Sequence, residues 1–142
     1  MVTIVSGLVG GFVATIVMTI FMMMLGDDSP PPTAVFWSQY LGDGEPDQYM
    51  MQGMILHFIY GIIAGGVFAV LVAALGLGVA TLGAVVLWGL VYGLVLFVIA
   101  AAFWMMMIMG MSPEMKMAGM FLFFHLVYGL VLGLWVGYGI LG

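Results

Sequence analysis

Two histidines stand inside apolar runs of this sequence, His57 in MILHFIYG (54–61) and His125 in FLFFHLVYG (121–129). An ionisable side chain in such surroundings is expensive and raises a functional hypothesis by default. The two share a setting, because His57, Tyr60, Gly61 and Gly65 repeat as His125, Tyr128, Gly129 and Gly133. An imidazole there can brace neighbouring helices through a hydrogen bond, ligate copper, or ligate haem iron. Bracing requires only one partner for each ring. Thr15, Thr19 and Tyr92 are the candidates, and this reading, with no cofactor, is the one the residues favour.

Methionine offers the second chemistry. Of 16 Met residues, all but Met1 fall towards the half of the chain's spans that meets its acidic loops. Thioethers are soft ligands suited to Cu(I), and imidazole also suits copper. Met18, Met22, Met50, Met54 and Met117 would line a path leading in to His57 and His125. Against that, Met105, Met106 and Met107 point all round an α-helix, as flexible gap-fillers do.

A b-type haem held by both histidines is a third option, with the glycines making room for the ring. The chain has no Arg and only Lys116 to meet the propionates, which counts against it. Hydrolytic chemistry is poorer still. Every carboxylate lies in a loop, so no acid can orient an imidazole inside the apolar runs. No catalytic residues are assigned, and an enzyme is not expected. Asp43, Glu45 and Asp47 could attract Ca²⁺, but a solvated acidic loop explains them as well.

The elements that carry these residues follow from composition. The 142 residues are 66% hydrophobic and 5% charged, against about 25% charged in soluble domains. Mean hydropathy is +1.35. This is an all-α integral membrane protein. A basic footprint for nucleic acid is missing, and so is a polybasic stretch for anionic lipid. The absence of Cys excludes disulfides and thiolate metal sites. The N-terminus lacks a basic n-region and reads as a spanning helix rather than a cleaved signal.

At roughly 20 apolar residues per span, four spans fit, at about 2–25, 46–75, 80–109 and 113–140, in one domain covering 1–142. GDDSPPP ends the first, since three prolines stop a helix. Pro46 suits the first position of the second, beside acids that favour the helix N-terminus. SPEM opens the fourth, with Ser112 as cap and Pro113 first. The loop 26–45 contains TAVFWSQYLG, whose Phe36, Trp37 and Tyr40 predict a short helix at the headgroup level. Even parity puts both termini on one side and all seven charged side chains on the other. With one Lys the positive-inside rule decides little, and termini in the cytoplasm are expected.

The second and fourth spans each begin at a Pro beside an acid and reach His-x-x-Tyr-Gly-x-x-x-Gly after eleven or twelve residues. LVYGLVL also recurs verbatim at 90–96 and 126–132. Two tandem hairpins with a pseudo-two-fold axis along the membrane normal are predicted, a known kind of parallel repeat. Each histidine would lie about 17 Å beyond its proline, well below the interface. Gly7/Gly11, Gly61/Gly65, Gly89/Gly93 and Gly129/Gly133/Gly137 are spaced by four, the pattern of close packing in lipid. His57 and His125 continue those stripes, so both rings should face neighbouring helices.

GLVGGFVATIVMTIFMMML, HFIYG and HLVYGLVLG together resemble a family of small four-helix membrane proteins widespread in haloarchaea, some of them tied to cytochrome oxidase gene clusters. The resemblance covers most of the chain and carries no activity with it. It implies an archaeal cell-membrane protein acting as a non-catalytic accessory or structural subunit beside a haem–copper terminal oxidase. Its partners would be lipid and other membrane subunits. The positions it marks are His57, Tyr60, Gly61, His125, Tyr128 and Gly129. Cu(I) binding or delivery, and bis-histidine haem electron transfer, stand as the alternatives.

Overall fold

The computed structural model describes residues 2–77 and 80–142. The turn expected between the second and third spans, at 76–79, lies outside them at 78–79, as does Met1. Five α-helices follow in order: α1 (Ile4–Leu25), α2 (Pro32–Tyr40), α3 (Met50–Ala74), α4 (Leu82–Val98) and α5 (Met115–Gly137). A 3₁₀ turn (Pro46–Tyr49) leads into α3, and α4 continues as a π-helix over Ile99–Ile108. Among the described residues, four stretches are long and apolar enough to cross a membrane: Ile4–Leu25, Pro46–Ala74, Leu82–Ile108 and Met115–Gly137. The protein is a four-helix membrane bundle, with the short α2 packed over one end.

Local chemistry sets most boundaries. Thr3 caps α1 by accepting the Ser6 N–H at 3.1 Å, and Thr81 caps α4 by accepting the Ala84 N–H at 3.3 Å. Pro46 takes the first position of its turn, as its fixed φ favours. The fourth span departs from expectation. Glu114 keeps an extended backbone (ψ 155°), so α5 starts at Met115, and neither Ser112 caps it nor Pro113 leads it. Gly110 (φ +66°) stops the π-helix in a left-handed conformation that favours glycine.

Inside lipid, apolar burial cannot drive helices together, so close backbone approach does that work. The glycine stripes provide it. Gly7 and Gly11 of α1 meet Gly61 and Gly65 of α3, and a Cβ added at Gly65 would lie 2.5 Å from the Gly11 Cα. Gly89 and Gly93 of α4 meet Gly129 and Gly133 of α5 in the same manner. Between these two pairs, α1 packs on α5, with Gly10 against Trp135 and Leu132. By contrast α3 and α4 scarcely touch, and a gap remains between them. The core is made of Ala14, Met18, Phe68, Val72, Leu96, Tyr128 and Leu132, among others.

The ends of the bundle differ. At one, Ser6 Oγ donates to the Ile140 carbonyl (2.5 Å) and Thr3 Oγ1 to the Leu141 carbonyl (3.2 Å), so the two termini adjoin. The α1–α3 and α4–α5 connections, with the acids and Lys116, meet at the other. There α2 crosses the open gap. Its Ala34 sits on Gly53 of α3, while Gln39 and Tyr40 reach the carbonyls of Met109 and Ile108.

Candidate functional site

Beneath α2, the gap between α3 and α4 encloses a cavity of about 180 Å³. Both histidines line it. From α1 come Thr15, Met18 and Met22, and from α3 Tyr60, Gly61 and Ala64 join His57. Leu96, the π-helical Ala100, Trp104 and Met105, and Met109 at the cap of that segment form the opposite wall. Phe121 and Tyr128 accompany His125 on α5, and Pro31, Pro32, Thr33 and Phe36 make the roof. Phe36 closes on Trp104 edge to face, with centroids 5.8 Å apart.

The hydrogen bonds define each ring's tautomer. Thr19 Oγ1 donates its one proton to the Thr15 carbonyl at 2.7 Å. The same oxygen lies 3.2 Å from His57 Nε2, which donates to it when the hydroxyl proton is given to the Thr15 carbonyl. Nδ1 of that neutral ring is left with a free lone pair. His125 is held differently. Its Nδ1 lies 2.8 Å from the Phe121 carbonyl, which can only accept, so Nδ1 carries the proton and Nε2 keeps its lone pair. Phe121 and Phe97 flank this ring edge-on at 4.5 and 6.1 Å. Each imidazole is thus anchored through one nitrogen, and the other has no partner among the described residues.

Of the anticipated bracing partners, Thr19 does bond His57, while Thr15 donates instead to the Gly11 carbonyl at 2.7 Å. Tyr92 bridges α4 to α3 through the Ala64 carbonyl at 2.7 Å. Tyr128 reaches from α5 to the Gly61 carbonyl at 2.6 Å. Tyr60, its counterpart in the sequence repeat, makes no equivalent bond among the described residues and is 37% exposed.

The methionines sort into two groups. Met18 and Met22 face the cavity, as expected. Met50, Met54 and Met117 do not line it, and Met50 and Met117 are turned outward at 42% and 39% exposure. In their place stand Met105 (1% exposed) and Met109, which an α-helical period counted from Leu96 would turn to the opposite side of the helix. The glycines are filled as well. Gly61 packs on Thr15 and Gly129 on Gly89, so neither leaves room for a macrocycle.

This donor set is soft. No group of three or more His, Cys, Asp or Glu side chains gathers among the described residues. A Zn²⁺ site of four N, S or O ligands, or the six to eight oxygens of Ca²⁺, cannot be assembled here from such donors. Two neutral imidazoles and up to four thioethers suit a softer ion. Compared with known protein families, curated proteins and solved structures, the chain matches none.

Proposed function

We propose that this is a non-catalytic membrane protein that holds Cu(I) between His57 and His125, with thioethers of the cavity wall completing the site. One observation carries the reading. Both imidazoles line one methionine-bearing cavity, and each is hydrogen-bonded through one ring nitrogen only among the described residues. Metal-ligating histidines almost always donate their second N–H to a fixed acceptor, which sets the tautomer and orients the ring.

The biological setting is that of an accessory subunit beside a haem–copper terminal oxidase in the cell membrane, as the sequence resemblance suggests. A chain with so little mass outside the bilayer acts through what its helices hold or touch. The termini face the cytoplasm, and the acidic, Met-bearing end faces outward. The two hairpins, α1 with α3 and α4 with α5, are copies about a pseudo-two-fold axis, an interpretation supported by their equivalent glycine contacts. Bis-histidine haem is less well supported. The cavity of about 180 Å³ falls below the roughly 300–1,000 Å³ of small-molecule sites.

Purification in mild detergent with Cu(I) supplied under reducing conditions tests the proposal. One tightly held copper per chain, with both nitrogen and sulfur neighbours in X-ray absorption, is expected. It should vanish in the double variant His57→Gln/His125→Gln while the bundle survives. Copper retained by that variant would sink the site, and a Soret band would favour haem. Oxidase subunits co-purifying with the chain would support the accessory role separately.

A further inference from the structure

π-helical winding is rare, appears mostly as single-turn bulges, and is frequent at functional sites. Here it runs for ten residues, Ile99–Ile108, along one wall of the cavity. The i→i+5 pattern is explicit at its end, where Met109 N–H bonds the Trp104 carbonyl at 2.9 Å.

Winding decides which side chains face inward. The cavity-lining positions on this wall are Leu96, Ala100, Trp104/Met105 and Met109, recurring every four or five residues. An α-helix turns every 3.6 residues, so its inward face below Leu96 would step through Ala100, Phe103 and Met107. Phe103 and Met107 are in fact turned out, at 44% and 73% exposure. Met105 and Met109 reach the cavity because the segment is π-wound.

Something must hold that register, and α2 is placed to do so. The carbonyls of Ile108 and Met109 have no later helical donor, since the chain leaves the helix at Gly110. Tyr40 Oη donates to the first at 2.5 Å and Gln39 Nε2 to the second at 3.3 Å. Phe36 adds its edge contact to Trp104. The last turn of α2 is therefore fastened to the end of the π segment.

We infer that residues 99–108 are a ligand-positioning segment with two registers. With α2 fastened, π winding presents Met105 and Met109 to the histidine cavity. With α2 released, α winding withdraws them and brings Phe103 and Met107 inward. The consequence for copper rests on the Cu(I) reading above, whereas the change of register does not.

The chain has no cysteine, so single cysteines report each face. Met105→Cys and Met107→Cys are labelled with N-ethylmaleimide, with and without the pair Gln39→Ala/Tyr40→Phe. Position 105 should be protected and 107 reactive in the fastened protein, and the order should reverse on release. X-ray absorption of Cu(I)-loaded Gln39→Ala/Tyr40→Phe, with both methionines intact, should show fewer sulfur neighbours, since Met107 alone arrives where Met105 and Met109 leave. Deleting Ala102 from that variant should restore them, because one residue fewer lets an α-helix carry Ala100, Trp104, Met105 and Met109 on one face. Labelling that ignores α2, or a deletion that restores no sulfur, overturns the inference. If register reverses while no form of the protein takes up copper, the two-register segment stands and the copper reading falls.

Discussion

His57 Nε2 and Thr19 Oγ1 stand 3.2 Å apart, and Thr19 Oγ1 lies 2.7 Å from the Thr15 carbonyl as well, so with the hydroxyl proton given to that carbonyl the histidine is the donor. A hydroxyl on α1 thereby fixes both the tautomer and the plane of a ring on α3. Thr19→Val removes that acceptor at nearly constant volume and leaves the ring free to turn. Loss of such a supporting partner typically costs 10–100-fold in metal affinity. Cu(I) affinity, measured by competition with a chromogenic chelator, should therefore fall by about that range in Thr19→Val. It should stay close to normal in Thr19→Ser. Equal affinities in the two variants would remove Thr19 from the site.

The glycine contacts yield a comparison within one protein. A Cβ at Gly65 would lie 2.5 Å from the Gly11 Cα and 2.7 Å from its N, backbone atoms that cannot step aside. Gly65→Ala should push α1 and α3 apart and cost about 1–3 kcal/mol, the usual range for overpacking. At Gly83 of α4 and Gly119 of α5 an added Cβ meets nothing within 4 Å. There alanine only improves helix propensity, so Gly83→Ala and Gly119→Ala should be neutral or stabilising by up to about 1 kcal/mol. Reversible unfolding in mixed micelles would separate the two classes. A similar cost at Gly65 and Gly83 would mean that the stripes are not the packing faces.

Outside the spans, Asp27 is the acid whose surroundings favour its charge. The Ser29 hydroxyl donates to it, and the Ser29 N–H does so at 3.1 Å, holding the carboxyl below its ordinary 3.8. A depressed carboxylate pKa contributes order that is complete above the unfolded value and disappears as pH falls through the folded one. The turn after α1 should thus be intact at neutral pH and loosen only below about pH 4. Carboxyl-carbon NMR should show Asp27 titrating below its ordinary 3.8, and Ser29→Ala should move it up. An unmoved titration would place the cause elsewhere.

The sequence made the scaffold legible because its signals are local and strong. Long apolar runs, Pro-led starts and four-residue glycine spacing each act within one or two turns, and the spans and their contacts follow. The histidines were legible too, since they continue the glycine stripes on α3 and α5. What could not be read depended on a change of period or on tertiary placement. Met105 and Met109 reach the cavity only through π winding, and MMM at 105–107 reads as unspecific on an α-helical wheel. Met50, Met54 and Met117 lie towards the same end of their helices but do not line the cavity, and Met50 and Met117 are exposed. The repeat also hid an asymmetry. Tyr60 and Tyr128 occupy matching positions, and of the two only Tyr128 reaches a backbone carbonyl of the other hairpin among the described residues.

That asymmetric bond leads to a prediction about how the hairpins are joined. Tyr128 Oη donates to the Gly61 carbonyl at 2.6 Å, and Tyr92 Oη to the Ala64 carbonyl at 2.7 Å, less than one turn further along α3. Both cross from the α4–α5 hairpin to the α1–α3 hairpin, at the edge of the gap that α3 and α4 leave open. Side-chain hydrogen bonds inside bilayers average about 0.6 kcal/mol and reach about 1.7. Tyr128 is 2% exposed, so its hydroxyl has no water to turn to, and Tyr128→Phe should lie towards the upper figure. Tyr92 is only partly buried, and Tyr92→Phe should cost less. Because both bonds hold the same gap, the double variant should depart from the sum of the singles, as neighbours sharing partners do. A donor–acceptor label pair on α3 and α4 would report the gap directly. It should widen in Tyr92→Phe/Tyr128→Phe, and a distance unchanged in that variant would assign the union of the hairpins to the α1–α5 contact alone.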